Sequence, residues 1–120
     1  MIALIAHDSK KRELIEVVSN YVDFFLSQDV IATGNTGKLL KEELDIEPIQ
    51  AAHGPHGGDL EIGAKVVQGV VQAVIFLRDP LTAQAHEPDI GALMRVCDVH
   101  DIPLATNKSS SIALIDSIVD

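Results

Sequence analysis

Histidines, carboxylates and glycines collect in three short polar segments of this chain. One covers residues 33–38 (TGNTGK), a second residues 54–59 (GPHGGD), and a third residues 78–89, which begins RDP and ends HEPD. Imidazoles and carboxylates are the usual groups of general acid–base catalysis, and glycine-rich turns allow backbone amides to approach an anion. Together the three segments predict a small active site for a phosphorylated substrate.

The first segment follows an apolar run and is expected to lead from a strand into a helix. Its glycines would let backbone N–H groups face a phosphate, and Thr33, Asn35 and Thr36 would add side-chain donors. The spacing from Gly34 to Lys38 is two residues shorter than in a nucleotide P-loop, and no Ser or Thr follows the lysine, so an NTPase is not supported. A glycine-rich turn with an Asn or Thr cap explains the same residues, and this alternative stays open.

His7 and Asp8 follow the apolar start of the chain, and Lys10, Lys11 and Arg12 come shortly after them. Cations in the first turn of a helix oppose the helix dipole, which is unfavourable for stability but suits a site where an anion binds. A solvated basic turn capped by Asp8 is the alternative.

His53, His56 and Asp59 recur at every third position, which raises the question of a metal site. Glycine or proline fills four of the seven positions from 53 to 59, so a rigid ligand set is not expected and no metal is predicted. A backbone that approaches a substrate and presents Asp59 at a helix start explains the segment better. A carboxylate at a helix start ordinarily has a lowered pKa, but burial against a ligand would raise the pKa of Asp59 towards that of a working base.

The prolines of the third segment stiffen a long loop and hold Asp79, His86 and Asp89 at defined places. Helix capping explains the two carboxylates equally well.

The composition is that of an ordinary globular protein of 120 residues, 47% hydrophobic and 22% charged, and we expect a single domain over residues 1–120. A formal net charge of −9 disfavours nucleic acid and anionic membranes as partners. The one cysteine, Cys97, is interpreted as a buried structural thiol, and no disulfide can form within the chain. Because no signal-peptide core and no membrane-spanning run is evident, a cytoplasmic protein is expected.

Apolar runs and helical spacing predict five strands that alternate with five helices. The strands are expected at 2–6, 29–33, 48–51, 73–77 and 102–105, and the helices at 9–26, 36–44, 59–70, 89–100 and 109–118. This order predicts an α/β fold, a three-layer αβα sandwich with a five-stranded parallel sheet. In such a sheet the loops at the carboxyl ends of neighbouring strands converge, which would bring the three polar segments to one crevice.

Six segments, in this order and over nearly the whole chain, resemble the methylglyoxal synthase family. They are residues 5–8 (IAHD), 32–37 (ATGNTG), 54–59 (GPHGGD), 76–81 (FLRDPL), 86–89 (HEPD) and 103–107 (PLATN). The resemblance implies a lyase, without a cofactor, that converts dihydroxyacetone phosphate to methylglyoxal and inorganic phosphate. It also implies a homohexamer that inorganic phosphate inhibits.

The resemblance further implies roles for individual residues. Asp59 would be the base that takes a proton from the hydroxymethyl carbon, and His86 would polarise the carbonyl group, with Asp79 and Asp89 as supporting acids. The substrate and its phosphate would be held by polar and glycine positions around them, namely His7, Asp8, Lys11, Thr33, Gly34, Asn35, Thr36, His53 and Gly54.

Three departures from the family pattern stand out. His53 replaces the usual Ser, Leu60-Glu61 replaces the usual Gln-Gln, and the sequence ends at Asp120 without a basic tail, so weak cooperativity towards phosphate is expected. Two alternatives to the lyase are a non-catalytic effector-binding module of the same fold, which would not need Asp59 and His86, and an isomerase that retains the phosphate.

Overall fold

The structure, a computed structural model, describes residues 1–119, so Asp120 lies outside it. The strands are β1 (Ile2–Ala6), β2 (Val30–Thr33), β3 (Ile49–Ala51), β4 (Ala73–Leu77) and β5 (Leu104–Ala105). The helices are α1 (Lys11–Ser19), α2 (Val22–Leu26), α3 (Gly34–Leu44), α4 (Gly58–Val67), α5 (Glu87–Val99) and α6 (Lys108–Val119), and single 3₁₀ turns cover Asp8–Lys10 and Gly54–His56.

The five strands form one parallel sheet in the order β3-β2-β1-β4-β5. Leu4 of β1 lies opposite Ala32 of β2 and Ile75 of β4, so β1 is the central strand. The chain runs outward from β1 to β3 and then returns to the other side of β1 as β4. The topological switch point of the sheet therefore lies between β1 and β4, where ligands bind in folds of this type.

Alternate side chains of the sheet fill two separate cores. Leu4 and Ile75 pack with α1, α3 and α6 on one face, whereas Ile5 and Phe76 pack with α4 and α5 on the other. Cys97 of α5 is fully buried in the second core, where burial raises the pKa of its thiol to about 11. These layers confirm the predicted αβα sandwich with a five-stranded parallel sheet.

The helix predicted over residues 9–26 is wrong as a single element. A 3₁₀ turn precedes α1, and a break at Asn20 and Tyr21 separates α1 from α2. The amides of Asn20 and Tyr21 donate to Val17 and Val18, which closes α1 with shortened turns. The resulting bend allows Phe25 of α2 to enter the first core.

Other element boundaries also differ from prediction. α5 begins at Glu87 and not at residue 89, and β5 covers only Leu104–Ala105 instead of residues 102–105. α3 begins at Gly34, so most of the polar segment at 33–38 is helix and not loop. α4 ends at Val67 and not near residue 70, because the amides of Gly69 and Val70 turn back onto the carbonyl groups of Val66 and Lys65. No helix among residues 1–119 combines the length and apolar character needed to cross a bilayer.

We predict that Leu4→Ala lowers the free energy of unfolding by about 2–5 kcal/mol, because Leu4 is fully buried in the central strand and its loss leaves a cavity. Urea unfolding measures the change. The control Val99→Ala, at an exposed position of α5, should change stability by less than about 0.5 kcal/mol. Equal losses for the two variants would contradict the packing described.

Candidate active site

The segments that follow β1, β2, β3 and β4 surround one cleft of about 330 Å³. Most of the predicted site residues line it, namely His7, Asp8, Lys11, Thr33, Gly34, Asn35, His53, Gly54, Asp59 and His86. The cleft lies at the carboxyl edge of the sheet beside the switch point, so the topology brings together residues far apart in the chain.

Asp59 is the second residue of α4 and has no exposed surface. Neither of its carboxylate oxygens accepts a hydrogen bond from residues 1–119. Burial raises the pKa of this carboxyl group, the nearby His86 opposes that shift, and the charge of Asp89 adds to it. A carboxylate in such surroundings is a stronger base than one in water.

His86 lies directly before α5, with 8% of its surface exposed. Its Nε2 is 3.2 Å from Oδ2 of Asp59, although the two atoms are not aligned for a hydrogen bond. Gly54 makes this approach possible, because a Cβ atom there would lie 2.6 Å from His86 Nε2. The imidazole and the carboxylate therefore lie side by side at one wall of the cleft. They are close enough to transfer protons to and from adjacent atoms of a substrate.

His7, only 6% exposed, presents a second imidazole to the cleft. The backbone N–H of Asp79 donates to its Nδ1 at 2.8 Å, which places the proton of the neutral ring on Nε2. That Nε2 is buried without a partner among the described residues. Burial, followed by the neighbouring His86 and Arg78, lowers the pKa of His7, so the ring is a neutral hydrogen-bond donor.

Several features of the cleft favour an anion. Lys11 Nζ donates to the carbonyl oxygen of Ala6 at 2.9 Å and to Oδ1 of Asp8 at 2.7 Å, which fixes an ammonium group at its edge. α1, α3, α4 and α5 all begin around the cleft without a side-chain cap. By contrast, Asn107 caps α6, because its Oδ1 accepts from the amide of Ser110. In α5 the amides of Glu87 and Asp89 donate to the carbonyl groups of Gln84 and His86, whereas the first amides of α3 make no such bond within residues 1–119, so they can bind a ligand.

Three predicted site residues, Thr36, Asp79 and Asp89, do not line the cleft. The Thr36 hydroxyl is buried without a partner among residues 1–119. The Asp79 carboxylate accepts from Ser9 Oγ at 2.8 Å and from the Leu81 amide at 3.1 Å; together with Thr82, these hydrogen bonds hold its pKa below the ordinary value. Asp89 lies in the first turn of α5 and acts on the cleft through its charge near Asp59.

Sequence reasoning missed two polar residues of the cleft, Gln84 and His56. Gln84 is an uncharged amide within a long loop, and no spacing distinguishes it. His56 has a sequence signal, its three-residue spacing from His53, but that spacing indicates a metal ligand and not a residue that contacts an anion. Within the described residues, no three His, Cys, Asp or Glu side chains are placed to hold a metal ion.

Fold and site define an α/β protein whose cleft is built for acid–base chemistry on a small anionic molecule. The chain matches the MGS-like domain family over residues 13–106. It is 53% identical to methylglyoxal synthase of Carboxydothermus hydrogenoformans over 110 residues. These residues cover 92% of this chain and 91% of the relative. Methylglyoxal synthase of Clostridium botulinum is 47% identical over 114 residues, which cover 95% of this chain and 96% of the relative.

A crystal structure of methylglyoxal synthase from Elizabethkingia anophelis superposes with a TM-score of 0.87 and 38% identity, covering 94% of this chain and 74% of that one. The chain belongs to the methylglyoxal synthase family.

We predict that Asp59→Asn raises the melting temperature by a few degrees at about pH 8. The raised pKa means that the folded state disfavours the ionised carboxyl group. At pH values above the ordinary pKa of 3.8, the charge of Asp59 therefore lowers the stability of the fold. The gain should shrink as the pH falls towards 3.8, where the unfolded chain also binds the proton. Calorimetry in a phosphate-free buffer measures both effects, with the exposed Asp98→Asn as the unchanged control. A gain that grows with acidity would contradict this account of Asp59.

Proposed function

We propose that this protein catalyses the reaction for which its relatives are named, the formation of methylglyoxal, by eliminating inorganic phosphate from dihydroxyacetone phosphate. The observation that carries the proposal is the buried Asp59 carboxylate, which accepts no hydrogen bond from residues 1–119 and lies 3.2 Å from His86 in an anion-binding cleft.

In the first step, Asp59 takes a proton from the hydroxymethyl carbon of the substrate. The electron pair of that C–H bond forms a carbon–carbon double bond, and negative charge moves to the carbonyl oxygen. His86 polarises this oxygen and then moves protons between the two oxygens of the enediol, while Nε2–H of His7 supplies a second donor. Burial supports Asp59 as the base, because it raises the pKa of the carboxyl group.

In the second step, the terminal hydroxyl loses its proton and becomes an aldehyde. The double bond shifts by one carbon, and the bond between carbon and the phosphate oxygen breaks. The products are inorganic phosphate and the enol of methylglyoxal, which takes up a proton to give methylglyoxal. No electrons enter or leave the reaction as a whole.

Elimination is fastest when the breaking C–O bond stands perpendicular to the plane of the enediolate. Lys11 and the uncapped start of α3 at Thr33 and Gly34 would hold the phosphate and so set this angle. Asp79 and Asp89 would support the reaction indirectly. The backbone of Asp79 fixes the tautomer of His7, and the charge of Asp89 helps to keep the pKa of Asp59 raised.

A binding module of the same fold needs only the anion-binding groups. Burying a carboxylate without hydrogen bonds costs stability and serves no purpose in such a module, so Asp59 favours the enzyme. An isomerase would share the first step but retain the phosphate, so product analysis separates the two.

We predict that Asp59→Asn lowers the turnover of dihydroxyacetone phosphate by about 10²–10⁴-fold, because the amide cannot act as the base. The assay measures methylglyoxal and free phosphate together, and the wild type should release them in equal amounts. Asp98→Asn, on an exposed position of α5, should keep full turnover. The proposal would be refuted if the wild type converted the substrate to an isomer without releasing phosphate. It would also be refuted if Asp59→Asn kept more than half of the wild-type turnover.

We also propose that the protein is a homohexamer. Leu60, Val67 and Val70 expose apolar surface on and just beyond α4, and a symmetric assembly would bury such surface. Light scattering at micromolar concentration should give six times the 12.9 kDa mass of the chain. A monomeric mass would rule this out.

Finally, we predict that inorganic phosphate inhibits by competition. Lys11 and the start of α3 cannot distinguish free phosphate from the phosphate group of the substrate, so both would occupy the same place. Initial rates at several phosphate concentrations should show a rising apparent KM with an unchanged maximal rate. A falling maximal rate at constant KM would show that phosphate acts elsewhere.

A further inference from the structure

Four of the five histidines line the cleft, and two of these, His53 and His56, have no part in the proton transfers described. The 3₁₀ turn Gly54–His56 follows His53, and the His56 amide donates to the His53 carbonyl oxygen at 2.9 Å. Residues three apart in a 3₁₀ turn lie one above the other. The two rings are therefore neighbours, with centroids 5.9 Å apart and planes at 82°.

One ring of this imidazole pair (His53 and His56), that of His53, lies against the start of α3. Gly34 has a φ of 36°, and a Cβ atom there would collide with the His53 ring, so that ring occupies the space beside the first turn of the helix. Thr33 does not cap α3, and the first amides of the helix are available to an anion. An anion bound by these amides would therefore lie next to the His53 ring, with the His56 ring as its neighbour in the same cleft.

The hydrogen-bonding capacity of the pair is unused. Both rings are exposed, and neither side chain takes part in a hydrogen bond within the described part of the chain. The titratable groups that share the cleft with them are Asp8, Lys11, Asp59, His7 and His86. Of these, Lys11 is bonded to Asp8, which leaves that carboxylate largely compensated.

We propose that His56 is a further phosphate-recognising residue that acts together with His53. A dianion at the start of α3 is held more strongly by a charged imidazole than by a neutral one, so its binding should be tighter in mildly acidic solution. This proposal deepens the proposed function, on which it rests, because the phosphate of the substrate would occupy the same place.

Sulfate is the probe of choice, since it remains a dianion across the whole pH range in which histidine titrates, whereas phosphate does not. Its affinity is measured by calorimetry at about pH 6 and pH 8, with EDTA present so that no metal ion can bridge the rings. The wild type should bind sulfate about tenfold more tightly at the lower pH, because charge-assisted hydrogen bonds from imidazolium groups hold a dianion more strongly. His56→Gln should lose at least half of this difference.

Two further variants make the test decisive. His56→Lys carries a fixed charge and should retain tight sulfate binding at the higher pH. His100→Gln removes the one histidine that does not line the cleft and should behave like the wild type. Equal pH dependence in the wild type and His56→Gln, weak binding by His56→Lys at the higher pH, or no sulfate binding at all would overturn the proposal.

Sulfate binding needs no turnover, so the result is independent of the lyase assay. A His56 that plays no part in sulfate binding leaves the elimination reaction standing. Conversely, a wild type that forms no methylglyoxal would refute the proposed function without affecting the sulfate measurement.

Discussion

A carboxylate removed from water and given no hydrogen bond is the constraint on which this structure depends. Desolvation makes Asp59 a stronger base, but burying its carboxylate also lowers the stability of the fold. Apolar burial in the two cores of the sandwich must offset this loss. Asp59 lies in the first turn of α4 and lines the same cleft as the segment that follows β3. Gly54 then admits the His86 ring, so the imidazole that lies against the carboxylate is also the group that works with it.

The parallel sheet supplies the second half of the site. Because every strand points the same way, the helices that follow β1, β2, β3 and β4 all begin at one edge around a single cleft, where the first amides of α3 can bind a ligand. The net charge of −9 gives no general attraction for an anionic substrate, so recognition depends on these local groups and on Lys11. One cleft therefore combines a poorly solvated base with a strong local preference for a dianion.

Much of this could be predicted from the sequence. The bounds of β1 and β4 match the prediction because buried parallel strands are uninterrupted apolar runs, and the rule that strand ends converge places most of the site residues together. The break at Asn20 and Tyr21 could not be predicted, since the apolar spacing continues through it without a proline or glycine. The start of α3 was missed because Gly34 and Gly37 suggest a loop. Burial of Asp59 without a partner is tertiary and leaves no mark on local sequence.

The titration of the Asp59 carboxyl group by ¹³C NMR, with Asp59→Asn used to assign its signal, tests the central claim most directly. The account predicts a pKa above the ordinary value of 3.8 in the free protein and a further rise when inorganic phosphate occupies the cleft, because a second anion opposes ionisation. A pKa at or below 3.8 would show that the carboxylate is well solvated or hydrogen-bonded, and it would contradict the account of Asp59 as a desolvated base.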